Sequence, residues 1–372
     1  MAYKVLGLVD CFNNPEFGPL TQHRLVASTS FLGRYAFIDF PLSNFLNSSI
    51  NSIGILCQKH IRSLSAHVGN GRSWTTNTKI GNFSILYDEP NVGNPGYSTD
   101  VACLFENIAF LKENNPDYIV ITNPYNVFEC DFKKLVEDHV ASGSRISLLY
   151  HHVESGLKTS FRNQKIVTVS PRDKITHIES NKGDLDEGDV SLGTIIMDYP
   201  MLESLMEYAA GTSAFFNISD VLTYLSASVL IRAVKFDGFV RCYDSLTHYL
   251  SYSLEMLQKK PFKALFNDDW PIHTKTYDTP PTIYKSDAQV TNSYIANGCV
   301  IEGTVESSIL GRNAKVHMGA LVKNSIIGSG VIIGEDTVLE NVIVDRNASV
   351  IHVKEIRGTV DNPVYIARGE VV

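Results

Sequence analysis

The stretch LGRNAKVHMGALVKNSIIGSGVIIGEDTVLENVIVDRNASV, residues 310–350, carries a six-residue apolar step. Ile326, Ile332, Val338, Val344 and Val350 follow one another at that interval. Leu310, Val316 and Val322 form an earlier run with the same step, joined to the first by a shift of four, and Ile295 and Ile301 begin another. Small or turn-forming residues (Gly311, Gly328, Gly334, Asn347) fall beside them. Such a step means one short β-face and then a turn; three faces close one coil of a parallel β-helix filled by stacked aliphatics. Ordinary sheet strands alternate with period two and do not hold a six-residue register this long. The reading predicts a left-handed parallel β-helix domain over residues 286–372. Its roughly 80 residues allow about four coils, a size suited to packing or assembly.

Upstream the period changes. Tyr3–Val9, Ile53–Cys57 and Tyr118–Thr122 are apolar runs of the kind buried in a parallel sheet. Between them, Ile61–Val68 and Val101–Glu113 place apolar residues at helical spacing. Strand, helix, strand in this order predicts a Rossmann-like, doubly wound α/β domain over residues 1–261, with ligands expected at the carboxyl ends of its strands. Asp268-Asp269-Trp270-Pro271 and Thr279-Pro280-Pro281 mark a linker over 262–285.

Composition narrows the function. Lys plus Arg total 32 against 40 for Asp plus Glu, a net charge of −8, which argues against coating nucleic acid or a membrane surface. A local basic pocket for a phosphorylated ligand stays compatible with that balance. No apolar run reaches the ~20 residues of a membrane span, and Val5–Val9 is shorter than an export-signal core. The six cysteines (11, 57, 103, 130, 242, 299) show neither metal-finger spacing nor scaffold density. A cytoplasmic protein with reduced thiols is expected.

One string is uncommon: Gly33-Arg34-Tyr35 followed by Ile38-Asp39-Phe40-Pro41-Leu42-Ser43-Asn44. It resembles the FGGKYRIIDFPLSN segment of ADP-glucose pyrophosphorylases, the glucose-1-phosphate adenylyltransferases of bacterial glycogen synthesis. The resemblance continues through Asn47-Ser48, residues 53–58, His67, Gly71, Trp74 and Glu106-Asn107. Ser191-Leu192-Gly193, Pro280-Pro281 and residues 292–303 extend it over nearly the whole chain. It implies a nucleotidyltransferase fold ahead of the β-helix.

The departures fall on the chemistry. The family's phosphate loop, AGGxGTRLxPLT, aligns so that Cys11, Phe12 and Asn14 replace glycines and Glu16 replaces the Arg. A carboxylate then stands where polyphosphate is bound, a reversal of charge. The Lys of RAKPAV becomes Val26, the Arg after the motif tyrosine Ala36, and the Asp of GTADAV Ala102. The phosphate-pairing Lys of FVEKP becomes Ser180, although Glu179 persists. The two metal-binding Asp positions hold Tyr125 and Cys242. A phenol with a pKa near ~10 is neutral and a thiol is soft, whereas Mg²⁺ takes hard carboxylate oxygens. No catalytic residue and no metal site are therefore expected in this chain.

A complete fold with an emptied centre resembles the GlgD-type subunit of this family, a paralogue of the catalytic GlgC-type subunit. That implies a non-catalytic regulatory role in a hetero-oligomer, a heterotetramer by resemblance. The chain itself would bind no cofactor, while the catalytic partner would use Mg²⁺. His23, Arg24, Arg34 and Arg312 are candidates for an anionic effector, a phosphorylated metabolite or phosphate, with solvated surface charge as the alternative. Asp39 reads as structural, with Pro41 in a helix's first turn. Other readings are a competent adenylyltransferase whose metal site is rebuilt by Asp10 or Asp244, and a stand-alone sugar-phosphate or nucleotide sensor. Acyl transfer through His317 or His352 is disfavoured, as is a nucleophilic Cys242 with no recognisable base beside it.

Overall fold

The computed structural model describes residues 3–13, 15, 17–75, 81–87 and 98–372. The chain divides into two compact, discontinuous units. The first comprises Met1–Pro15, Ile38–Cys242 and Asp269–His273; the second comprises Glu16–Phe37, Tyr243–Asp268 and Thr274–Val372. The division expected from the sequence (1–261, 262–285, 286–372) runs along the chain, whereas compactness moves two earlier segments into the unit that holds the C-terminal repeats.

The first unit is built on a nine-stranded mixed sheet. Phe83–Tyr87, Ser52–Cys57, Val5–Asp10 and Tyr118–Thr122 lie parallel and adjacent in that order. Gly188–Asp198 then runs antiparallel beside Tyr118–Thr122. Residues 5–9 are buried, which accounts for an unbroken apolar run where an exposed strand would alternate. Gly7 is required by close packing: a Cβ there would stand 2.7 Å from the Phe45 ring. The helical period over 101–113 resolves into two helices, Asp100–Glu106 and Ile108–Asn114, which meet at Asn107. The Asn107 amide donates to Cys103 O at 2.8 Å and to Tyr87 O at 3.1 Å, so its side chain occupies the break.

Helix Asp39–Asn47 carries the uncommon string. Its polar side chains reach to other segments and do not cap their own helix. Asp39, fully buried, meets His67 Nε2 at 2.6 Å. Ser43 Oγ accepts the N–H of His273 at 2.9 Å. The Asn44 amide donates to Phe128 O and accepts from Cys130 N and the Trp270 indole. These bonds give the string a structural role.

Helix Phe132–Ser142 buries His139 against Tyr118, with Nδ1 2.8 Å from Ser147 Oγ and no hydrogen-bond partner at Nε2 among the described residues. Burial lowers its pKa below the ordinary value, since the charged ring would lack solvation. The unfolded chain then binds more protons. This contribution is complete above ~6.5, the unfolded histidine pKa, and is lost as pH falls below it through the lower folded-state pKa. Buried carboxylates elsewhere in the unit have the opposite sign, so the test is differential. Between pH 7.5 and 5, the stability of His139→Asn relative to wild type should rise, by at most about 2 kcal/mol, in denaturant titrations. A constant difference would show that His139 does not titrate on unfolding.

In the second unit, three five-stranded parallel sheets close a left-handed β-helix. The sequence reading needs two corrections here. The stack is five strands deep on each face, not about four coils. The inward residues of the middle coil are Ile327, Ile333 and Leu339, whereas the Ile326, Ile332 and Val338 side chains stand on the other side of their strands. The reason is the coil length. Equivalent corner positions are 17 residues apart in the later coils (Ser308, Ser325, Val342) and 15 in an earlier one (Ser293, Ser308), not the ~18 that three equal steps would give. Leu310 pairs with Ile327, and Val316 with Ile333, in the core columns; Val322 pairs with Leu339. Val344 and Val350 do face inward, as expected. Corners are turned by left-handed residues, Asn292, Ser307, Asn324 and Asn341, with φ between 44° and 53°. Ser293, Ser308 and Ser325 hydroxyls each accept the N–H of the coil above at 3.1 Å.

One outer face of this helix is also apolar: Ile309, Ile326 and Ile343 are buried although their side chains point away from the core columns. The segment 17–37 reaches the corner that follows these strands. A Cβ on Gly33 would stand 2.6 Å from Leu310 O, and the Arg24 guanidinium pairs with Asp345.

Candidate functional site

At the carboxyl ends of Val5–Asp10 and Tyr118–Thr122 the first unit leaves a cavity of about 200 Å³. This is where an open α/β sheet ordinarily binds its ligand. Its lining includes Asp10, Asp100, Tyr125, Gln164, Lys165 and Asp220. Asp10 Oδ1 accepts the N–H of Phe12 at 2.8 Å, and burial pushes its carboxyl up to about 6. Asp100 opens helix Asp100–Glu106 and accepts the N–H of Ile218 at 3.0 Å. Burial, reinforced by the charge of Asp10, holds Asp100 well above the carboxylate range. Lys165 Nζ is 3.3 Å from Asp220. Among the described residues, three acidic side chains therefore line the cavity, Asp100 held protonated, against one ammonium already paired with Asp220.

The resemblance places two residues at this centre, and the fold brings them together. Cys242 ends strand Val240–Cys242 opposite Asn126, beside Tyr125. Both are buried, Tyr125 at 6% exposure and Cys242 at 1%. Burial raises the Tyr125 phenol well above its ordinary value, and the Asp10 charge adds to this, so it stays neutral at physiological pH. A neutral phenol and a buried thiol do not suit Mg²⁺, which takes carboxylate and phosphate oxygens. Among the described residues no three His, Cys, Asp or Glu side chains are grouped to hold a metal ion.

Around this centre, Asn123 donates to Leu192 O at 2.8 Å across Gly193, where an added Cβ would meet the Asn123 amide at 2.1 Å. Ala102 is half-buried on helix Asp100–Glu106, its N–H held by Thr99 Oγ1 at 3.1 Å. Ser180 and Glu179 are exposed at the end of Ile175–Ser180, and it is Ile178 of that strand that lines the cavity. Glu16 lies outside the described residues.

The remaining candidates belong to the second unit and separate there. Val26 is buried in a short 3-10 turn and His23 is exposed. Arg24 is 8% exposed and ion-paired with Asp345. Arg34 and Arg312 meet in a cleft of about 270 Å³ with Tyr277 and Tyr294, and no carboxylate lines it among the described residues. Arg312 stacks 4.4 Å above the Tyr277 ring and donates to Arg34 O at 3.2 Å. Burial raises the Tyr294 phenol while the two guanidinium groups oppose that shift. His317 lies 3.3 Å from Glu302, and neither it nor His352 lines this cleft or the cavity. Asp244 belongs to this unit as well, with Oδ1 2.5 Å from His248 Nδ1.

Sequence reasoning missed Asp100 and Asp220 as cavity residues. Both sit in ordinary helix-start signals, Thr99-Asp100 and the Asn217–Asp220 capping box, which masks any second role.

Comparison with known proteins agrees with this architecture. A family model described as Nucleotidyl transferase matches residues 16–179, and one described as GlmU-like, C-terminal hexapeptide matches residues 281–361. A glucose-1-phosphate adenylyltransferase of Bacillus thuringiensis is 27% identical over 362 residues, covering 94% of each chain. Its counterpart in Fervidobacterium nodosum is 26% identical over 335 residues, covering 89% of this chain and 80% of that protein. The chain thus joins a nucleotidyl transferase domain to a GlmU-like hexapeptide β-helix and is homologous to the glucose-1-phosphate adenylyltransferases.

Proposed function

We propose that this protein is a non-catalytic, GlgD-type regulatory subunit of ADP-glucose pyrophosphorylase in glycogen biosynthesis. It would assemble with a GlgC-type catalytic subunit, as a heterotetramer in the cytoplasm, and act on that partner's rate or effector response. The observation that carries the reading is the lining of the strand-end cavity. Buried Tyr125 lines it, with buried Cys242 beside that residue, and Asp10, Asp100 and Asp220 stand on its walls. Nucleotidyl transfer needs positive charge against the phosphates, most of it from a metal and cationic clamps. This lining has the opposite sign. The chain itself would hold no Mg²⁺; the catalytic partner would. The Arg34–Arg312 cleft, cationic and lined by no carboxylate among the described residues, would take an anionic effector such as a phosphorylated metabolite. No described helix is long and apolar enough to cross a membrane, in keeping with this role.

Pyrophosphate release from ATP and glucose 1-phosphate with Mg²⁺ tests the proposal on this chain alone, a GlgC-type subunit alone and the co-purified pair. Loss of metal stabilisation by several kcal/mol should leave the lone chain at least about 10³-fold below the catalytic subunit. The pair should show a higher rate or a shifted effector response. Robust turnover by this chain alone would overturn the proposal. Asp10 favours the competing reading of a rebuilt metal site, and calorimetric binding of Mg²⁺ with ATP would support that reading. Failure of the two subunits to co-elute would favour a stand-alone sensor.

A further inference from the structure

Arg24 and Arg34 belong to one segment but occupy different environments. The segment has little regular structure: a 3-10 turn at Val26–Ser28, then two-residue strands Ser30–Phe31 and Tyr35–Ala36. The hairpin turns through Leu32 and Gly33 at φ 47° and 65° and presents Arg34 from its tip. So short a hairpin is marginal unaided, and its position depends on what ties it down. At the tip, Arg312 donates to Arg34 O at 3.2 Å. Midway, Tyr249 donates its hydroxyl proton to Ser30 O at 2.7 Å. At the root, Arg24 is paired with Asp345, their side chains 9% and 3% exposed.

Asp345 is fully engaged in that position. Its Oδ2 accepts from Arg24 and, at 2.9 Å, from the Tyr365 hydroxyl, while its Oδ1 accepts the N–H of Arg346 at 2.7 Å. In the β-helix, Gly311, Gly328 and Asp345 stack in one corner column, linked by Gly311 N–H to Ile327 O and Gly328 N–H to Val344 O, both 2.7 Å. Arg24 therefore anchors the segment two coils, about 10 Å, along the column that carries Arg312.

We propose that Arg24 is a positioning residue: with Asp345 it sets where the hairpin stands against the β-helix, and so places the Arg34 guanidinium opposite Arg312 for an anionic ligand. This rests on the reading of the Arg34–Arg312 cleft as an anion site and replaces the expectation that Arg24 itself touches the ligand. A ligand-binding arginine would be exposed in the cleft, and Arg24 is neither exposed nor part of its lining.

Calorimetric titration of pyrophosphate into this chain alone tests the assignment, using wild type, R34Q, D345N and the double variant R24M/D345N. The double variant removes both buried charges, so neither is left unpaired, and thermal melting checks that it folds. The wild type should bind, R34Q should lose most of that binding, and both Asp345 variants should weaken it about tenfold. Tighter binding by D345N would mean that Asp345 restrains a ligand-binding Arg24, and would overturn the proposal. An unchanged affinity in the folded double variant would reduce the pair to a structural one, and a wild type that binds no pyrophosphate would remove the cleft as an anion site. Turnover by the lone chain would sink the regulatory reading while leaving the order of these affinities intact.

Discussion

Replacing Leu339 by Asp is expected to unfold the β-helix, while the same change at the neighbouring Val338 is expected to be tolerated. Leu339 is fully buried and stacked between Val322 and Ile356 in one core column. A carboxylate there loses the leucine's apolar burial and must be desolvated or protonated, at a combined cost above about 5 kcal/mol. Val338 is half-buried on the outer side of the same strand, between Leu321 and Glu355, where an aspartate keeps its water. Circular dichroism and hydrogen exchange over residues 283–366 would separate the two variants. A more damaging Val338→Asp would mean that the column assignment is off by one residue.

Asn44→Ala should have the largest effect in the first unit. Its amide satisfies three groups from two segments: Phe128 O at 3.0 Å and Cys130 N–H at 3.2 Å in one, and the Trp270 indole N–H at 2.9 Å in the other. At 2% exposure, water does not readily replace it. Leaving several buried polar groups unmatched costs about 3–5 kcal/mol. In a unit of this size that lowers the Tm by about 10 °C. Asn44→Asp should be no better, because it removes the donor to Phe128 O and adds a buried charge. If either variant melted within 2–3 °C of wild type, about the effect of 1 kcal/mol, Asn44 would not be the junction described.

The β-helix was legible in the sequence because stacked columns impose a period that no ordinary sheet requires. The facing of its middle coil was not. Ile326-Ile327, Ile332-Ile333 and Val338-Leu339 are apolar pairs, so either member completes a six-step run. Only the 17-residue coil decides between them, and coil length is set by the geometry of the corners. Ile326 adds a second reason, since it is buried from outside the helix.

The candidate site was legible in part. Tyr125 and Cys242 could be placed by alignment, and the fold brings them together. The acidic walls could not, because Asp100 and Asp220 come from helix starts 120 residues apart that only the folded sheet assembles. Arg24 and Arg34 were equivalent cations in the sequence. Separating them required Asp345, which stands 321 residues from Arg24 along the chain.

That separation has a consequence for biosynthesis. The ribosome delivers residues 17–37 well before the β-helix strands that share their compact unit. Until residues 243–266 are made, Phe31 and Phe37, both fully buried in the finished protein, lack the Tyr243, Tyr249 and Phe266 rings they pack against. The long loop adds only a modest entropic cost to closure, because that cost grows with the logarithm of its length. The delay is the larger exposure. A nascent chain with uncovered aromatic residues is a substrate for chaperones and a seed for aggregation. A truncation before Asp345 would therefore leave Arg24 without its buried partner, although every residue of the hairpin had been made correctly.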